Sequence, residues 1–260
     1  MKILSQIAPT DIAAFVLFAL CWLFYEPLLR QLSRGRGAIN TDMTVVRRAW
    51  MANMVGRENR FLDSNLMGHA LNSASFFASA NLIVIAAAAG ALFGGEATYR
   101  SVTALAILDR VPRIVFDIKL AVVTITLARG FLDFIWSIRQ MNYCLAAIGA
   151  APEGAPRAQL KAYGEAAAQL LNPALSSFNA GVRGYYFALA AAAWLLGPAP
   201  VAAATLGASG LLLWRQRHSR AARGVQDIRR LLEAREASGE AEPPALGPGE
   251  PGGDQGVGRR

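Results

Sequence analysis

The chain has 260 residues, 54% hydrophobic and 17% charged, with a net charge of +8 and a mean hydropathy of +0.31. Soluble domains carry about a quarter charged residues, so this composition, with its apolar residues blocked into runs, reads as an all-α, polytopic membrane bundle. The basic balance is no nucleic-acid signature, because the Lys and Arg residues flank apolar runs and no binding module accompanies them.

About five transmembrane helices are expected, over residues 12–32, 68–94, 114–140, 174–196 and 201–217, with cytoplasmic amphipathic helices between and after them. Together they form a helical membrane domain over residues 1–237. Residues 238–260, rich in Gly, Pro and Glu, are expected to be a disordered tail. Cys21 and Cys144 belong to no CxxC or ligand spacing, and His69 and His218 are the two histidines. Neither a disulfide, a metal site nor a cofactor is therefore expected.

In chain order, Thr10 or Asp11 caps the first span, which lacks a small-x-small cleavage site and is read as uncleaved. Pro27 is expected to kink or stop that helix just after Glu26. The next segment is basic, and Asn40, Thr41 and Asp42 offer a cap for a helix with Met43, Val46, Trp50, Met54 and Phe61 on one face. Such a helix lies in the headgroup layer or docks on the bundle's cytoplasmic end. Arg47, Arg48, Trp50, Arg57 and Arg60, with Arg215 and Arg217 near the last span, form the expected surface for anionic lipid headgroups or a partner. The second span carries Asn65, His69, Asn72 and Ser79 on one face and a small-residue ridge at Ala86, Gly90 and Gly94.

The third span, IVFDIKLAVVTITLARGFLDFIWSIRQ, is apolar yet holds Asp117, Lys119, Arg129 and Asp133. An ionisable group at bilayer depth costs about 2.5–3.5 kcal/mol on insertion scales, so these groups must face helices, water or each other. At about 100° per residue, Lys119, Thr126, Arg129, Asp133, Ser137 and Gln140 share an arc of roughly 80°, a polar seam. Arg129 and Asp133 are i,i+4 neighbours that neutralise one another, and Arg113 is placed to pair with Asp117. Residues 142–172 are expected to be a loop with one polar helix near 156–171. Gly197-Pro198-Ala199-Pro200 then separates the last two spans.

Five spans put the basic segments on one side, which predicts an outside N-terminus and an inside C-terminus. In that topology Glu26, His69, Asn72, Arg129, Asp133 and Arg183 fall at similar depth, and they are expected to form one buried polar network. The segments Arg47–Val84 and Ser176–Leu196 carry Glu58-Asn59-Arg60…Asp63, Phe77-Ala78-Ser79 and Phe178-Asn179…Arg183-Gly184-Tyr185-Tyr186. These resemble the bacterial family catalogued as domain of unknown function 599. The resemblance, over roughly Asp11 to Arg230, implies a multi-pass inner-membrane protein and supplies no catalytic residues.

Three functions follow from these readings. A non-catalytic scaffold or partner subunit, with homo-oligomerisation or a membrane partner, uses the seam as glue between helices. A small ion- or proton-coupled transporter uses the Arg129/Asp133 network beside water. An intramembrane enzyme is disfavoured: Asp117 and Asp133 stand roughly 24 Å apart along their helix, too far for a carboxylate dyad, and His69 with Ser73 is a weak nucleophile pair.

Overall fold

The computed structural model describes residues 8–33, 37–104 and 111–238. Lys2, Arg34, Arg36, Arg110 and, apart from Ser238, the expected tail over 238–260 lie outside them. Among the described residues, eight helices follow one another: α1 (Pro9–Ser33), α2 (Ile39–Met54), α3 (Phe61–Phe93), α4 (Gly95–Thr103), α5 (Arg113–Gly149), α6 (Arg157–Ala192), α7 (Pro198–Arg217) and α8 (Arg220–Ala237). A 3-10 turn, Ala193–Leu196, ends α6, and Gly197 at φ 125° makes the reversal into α7. The fold is all-α.

Three helices are longer than their sequence patterns indicate. α5 runs past residue 140 to Gly149, and α6 is one helix from Arg157 through Pro173 to Ala192, where a loop, a polar helix and a span were expected. Pro173 is exposed, so its ring sits on the outer side of α6, away from the packed face. Pro27 likewise does not stop α1, which continues to Ser33. At 1.5 Å per residue α3, α5 and α6 are about 50–55 Å long, well beyond the ~30 Å of a bilayer's hydrocarbon.

That excess length divides the packing in two. One core gathers Phe18, Tyr25, Val123, Leu127, Phe187, Trp194, Val201 and Leu212 from α1, α5, α6 and α7. The other gathers Met51, Met54, Met67, Met141, Cys144, Ile148 and Leu171, so α2 docks on the far ends of α3, α5 and α6. α8 packs on α2 through Arg229, whose guanidinium binds the buried Asp42 and Glu233. Ser219 caps α8, its Oγ accepting from Ala222 N at 3.1 Å. α2, by contrast, has no side-chain cap; Asp42 Oδ1 instead accepts from Gly37 N at 3.4 Å.

Among the described residues, two helices qualify as membrane spans by length and apolar composition, Pro9–Leu29 and Phe61–Phe93, and the other three expected spans are not distinguished on that basis. Only 22% and 11% of their most apolar stretches are buried, so Leu20, Leu23, Phe24, Ile83 and Phe93 point outward. Apolar helices that show their hydrophobic side chains to the surroundings call for an apolar solvent or partner.

α5 and α6 form the closest helix pair and are antiparallel. Ser137 Oγ donates to Ala174 O at 2.7 Å, and the Tyr163 hydroxyl donates to Ala147 O at 2.8 Å. Glycine makes the approach possible: a Cβ on Gly184 would lie 3.1 Å from Gly130 Cα, and one on Gly181 would lie 2.7 Å from the Phe134 ring. Gly184→Ala forces two backbones apart and should cost about 1–3 kcal/mol. The thermal midpoint should then fall by about 2–4 °C per kcal/mol. Gly207→Ala, in mid-helix with nothing within 4 Å of the added carbon, should not lower the midpoint and should raise it slightly, since helical Gly costs about 0.5–1 kcal/mol relative to Ala.

Candidate functional site

Two layers of charge cross the bundle. In the first, Lys119 in the second turn of α5 is fully buried, its Nζ 3.1 Å from Asp11 Oδ1. Trp194 Nε1 donates to the same oxygen at 2.6 Å, and the ammonium lies 5.7 Å from the Trp194 ring centre. Three elements are thereby pinned at one point: α1, α5 and the turn after α6. Sequence reasoning treated Asp11 only as a cap and overlooked Trp194. The available signal was stoichiometric: a lone lysine near one end of one apolar run, and a lone aspartate at the matching end of another.

The second layer lies about 22 Å further along α1. Arg183 Nη2 binds Glu26 Oε2 at 2.7 Å, and the guanidinium lies 5.8 Å from the Tyr25 ring centre. Arg129 Nε and Asp133 Oδ2 are 3.6 Å apart. All four charged residues line one cavity of about 150 Å³ between α1, α5 and α6, with Trp22, Leu23 and Phe187 in its apolar lining. Beside this layer α3 joins the α5–α6 pair: Phe77 of α3 stacks on Phe134, and the Tyr185 hydroxyl donates to Phe77 O at 2.8 Å. Of the polar seam, Lys119, Thr126 and Ser137 are buried, Asp133 and Gln140 half-buried and Arg129 exposed.

His69 and Asn72 do not join this layer. Both are exposed, on the face of α3 opposite the one that buries Met67, Ala74, Ala78 and Asn81 against α5. Phe77 marks the depth of the charged layer, so Asn72 and His69 stand about 7 and 12 Å beyond it along α3, towards α2. Placing them in a buried network assumed that α3 ends near the layer, whereas it continues for four turns.

The expected basic surface is also redistributed. Arg48 and Arg215 are exposed and Arg217 half-buried, with Arg215 Nη1 donating to the Tyr186 hydroxyl at 2.7 Å. Arg57 pairs with the buried Asp63, which also accepts from Trp50 Nε1 at 2.7 Å, so Trp50 is tied into the bundle. Arg60 donates to Ala151 O at 2.9 Å and Pro152 O at 3.2 Å, bolting the α2–α3 connection to the α5–α6 loop. Arg47 is buried, not a surface residue: helix α2 turns it inward with Met51 and Met54, and its Nε and Nη1 have no hydrogen-bond partner among the described residues.

Residues 13–221 match the family described as protein of unknown function, DUF599. The chain belongs to that family. Neither the curated proteins nor the solved structures give a match. The matched stretch contains Glu26, Lys119, Arg129, Asp133, Arg183 and Trp194, and begins two residues after Asp11.

Two outcomes follow from the electrostatics. Asp11→Asn or Lys119→Met alone leaves its partner's charge buried and uncompensated, which costs about 3–5 kcal/mol. The double variant removes both charges and should recover most of that loss in a denaturation series; additive losses would mean that the pair is not coupled. For Arg47, burial brings the guanidinium down to about 10. The folded chain thus holds this proton less tightly than the unfolded one, so at neutral pH the buried charge lowers stability. Arg47→Met keeps the packing volume and should raise the thermal midpoint by a few degrees, about 2–4 °C per kcal/mol.

Proposed function

We infer that the protein is a multi-pass protein of the bacterial inner membrane, crossing it about five times with its N-terminus outside and its C-terminus inside. We infer further that it is a non-catalytic scaffold or partner subunit that carries the α2–α8 module at the cytoplasmic face. The observation that carries this reading is the neutralisation of charge between helices, Asp11 with Lys119 and Glu26 with Arg183. Ionised groups are costly in hydrocarbon, and here they are used to join one helix to another. Further support comes from Arg48, Arg57, Arg60, Arg215 and Arg217, which sit at the end of the bundle where α2 docks, as the positive-inside bias requires.

A second reading is favoured by one feature, the cavity with Glu26, Arg129, Asp133 and Arg183 in its wall. A polar cavity inside a helical bundle is where a small transporter would place its cargo.

The two are separated by topology and flux together. Single cysteines at Ala199 and Ser238, in a background without Cys21 and Cys144, should react with an impermeant maleimide from outside and only after lysis, respectively. Proteoliposomes should show no proton or ion flux, and capture of a crosslinked partner should weaken in Arg48→Glu with Arg217→Glu. Labelling of both cysteines from one side would remove the five-span topology. A flux abolished by Asp133→Asn in folded protein would replace the scaffold with a transporter.

A further inference from the structure

The second charged layer differs from the first in being open. Lys119 and Asp11 are sealed, whereas Arg129 is 64% exposed although it stands at the depth of Glu26 on an apolar helix. α1 packs on α7 and only lightly on α6, and the space it leaves beside α5 is the cavity. Its lips are Leu23 and Arg129, both exposed, so the mouth lies on the flank of the bundle. A flank faces lipid at this depth if the bundle is membrane-embedded, and the inference rests on that reading.

Residues within reach of the cavity define what fits there. Arg183 has a buried Nη1 without a hydrogen-bond partner among the described residues, in addition to the Nη2 held by Glu26. Arg129 and Asp133 are only loosely paired at 3.6 Å, longer than a charge-assisted hydrogen bond of about 2.7–2.9 Å. Two guanidinium groups favour a phosphate, which accepts several hydrogen bonds at once. Two carboxylates in the same wall disfavour a simple anion, and the four charges sum to zero. A ligand that carries both a phosphate and an ammonium leaves that balance intact. At about 150 Å³ the cavity is worth about five waters of ~30 Å³ each, the scale of a headgroup and not of acyl chains. Chains would instead run from the mouth along the outward Leu23 and Leu20 of α1, both exposed.

The geometry points to a binding site for the headgroup of a zwitterionic aminophospholipid, its phosphate held by Arg129 and Arg183 and its amine by Asp133. The headgroup enters from the inner leaflet, and the site holds one lipid between α1 and α5.

Native mass spectrometry of the full chain in detergent tests this, with dioleoyl phosphatidylethanolamine and dioleoyl phosphatidylglycerol in competition. The wild type should retain the ethanolamine lipid roughly tenfold better, the factor that one charge-assisted hydrogen bond commonly commands. Asp133→Asn should abolish the preference while phosphate-driven binding of both lipids persists. Arg129→Gln should weaken retention of both. Thermal melts of each variant establish that it is folded; should Arg129→Gln not fold, Arg129→Lys, which keeps a cation but loses the fork, replaces it. Equal retention of the two lipids by the wild type, or a preference that survives Asp133→Asn, overturns the proposal. Soluble O-phosphoethanolamine raising the melting temperature as much as the lipid overturns the lipid source and assigns the cavity to a small zwitterion. Extraction of the chain from membranes by alkaline carbonate would instead defeat the membrane reading itself, independently of any lipid preference.

Discussion

Charge inside an apolar bundle must be neutralised where it stands, and the arrangement of α1, α5 and α6 follows from that constraint. Lys119 cannot move along α5, so α1 must present Asp11 opposite it, and Trp194 must close over the pair. Once that point is fixed, the helical rise sets what can meet about 20 Å away. Glu26 and Arg183 come together there, and Arg129 and Asp133 complete the layer from α5. Between the layers the contacts are apolar: Phe18, Val123, Leu127 and Phe187. The ~22 Å between the layers is shorter than the ~30 Å of a bilayer's hydrocarbon.

The glycine contact between α5 and α6 makes the second layer possible. Gly130 and Gly184 let the two backbones touch, and Gly181 admits the Phe134 ring. With α5 and α6 drawn together, Arg129 and Arg183 are carried to the same side of the pair. α1, held by its first turn at Asp11 and by its packing on α7, stands off from α5 at this level. The cavity is the space left by one tight and one loose pairing.

How much of this is legible in the residues depends on whether the signal is local. The all-α class, the i,i+4 pair of Arg129 and Asp133 and the shared side of Lys119, Thr126 and Ser137 follow from period and composition alone. Glu26 and Arg183 become partners once direction and depth are assigned, because each is a lone charge near the end of an apolar run. His69 and Asn72 misled because polar residues in a hydrophobic stretch were taken to lie within it, although α3 runs on past the charged layer. Helix length was obscured by Pro173, a local helix breaker that tertiary packing overrides when its ring faces outward. Arg47 misled in the same way: a basic residue on an amphipathic helix ordinarily faces water, but here α2 is packed on both α6 and α8.

The two layers have the same chemistry and different exposure, and that difference separates structure from site. Asp11, Lys119 and Trp194 leave no room for a ligand, and their hydrogen bonds are short and shared among three elements. Such an arrangement resists change, since every group is needed by another. Arg129 and Asp133 are longer apart, Arg129 reaches the flank, and Arg183 keeps a buried donor in reserve. Incomplete pairing around a cavity is costly for a chain that has no use for it, because each unsatisfied group loses its hydration without recompense. A bundle that needed only glue could have sealed the second layer as it sealed the first. That it leaves Arg129, Asp133 and an Arg183 donor loosely paired beside an open space argues that something other than the chain's own side chains completes them.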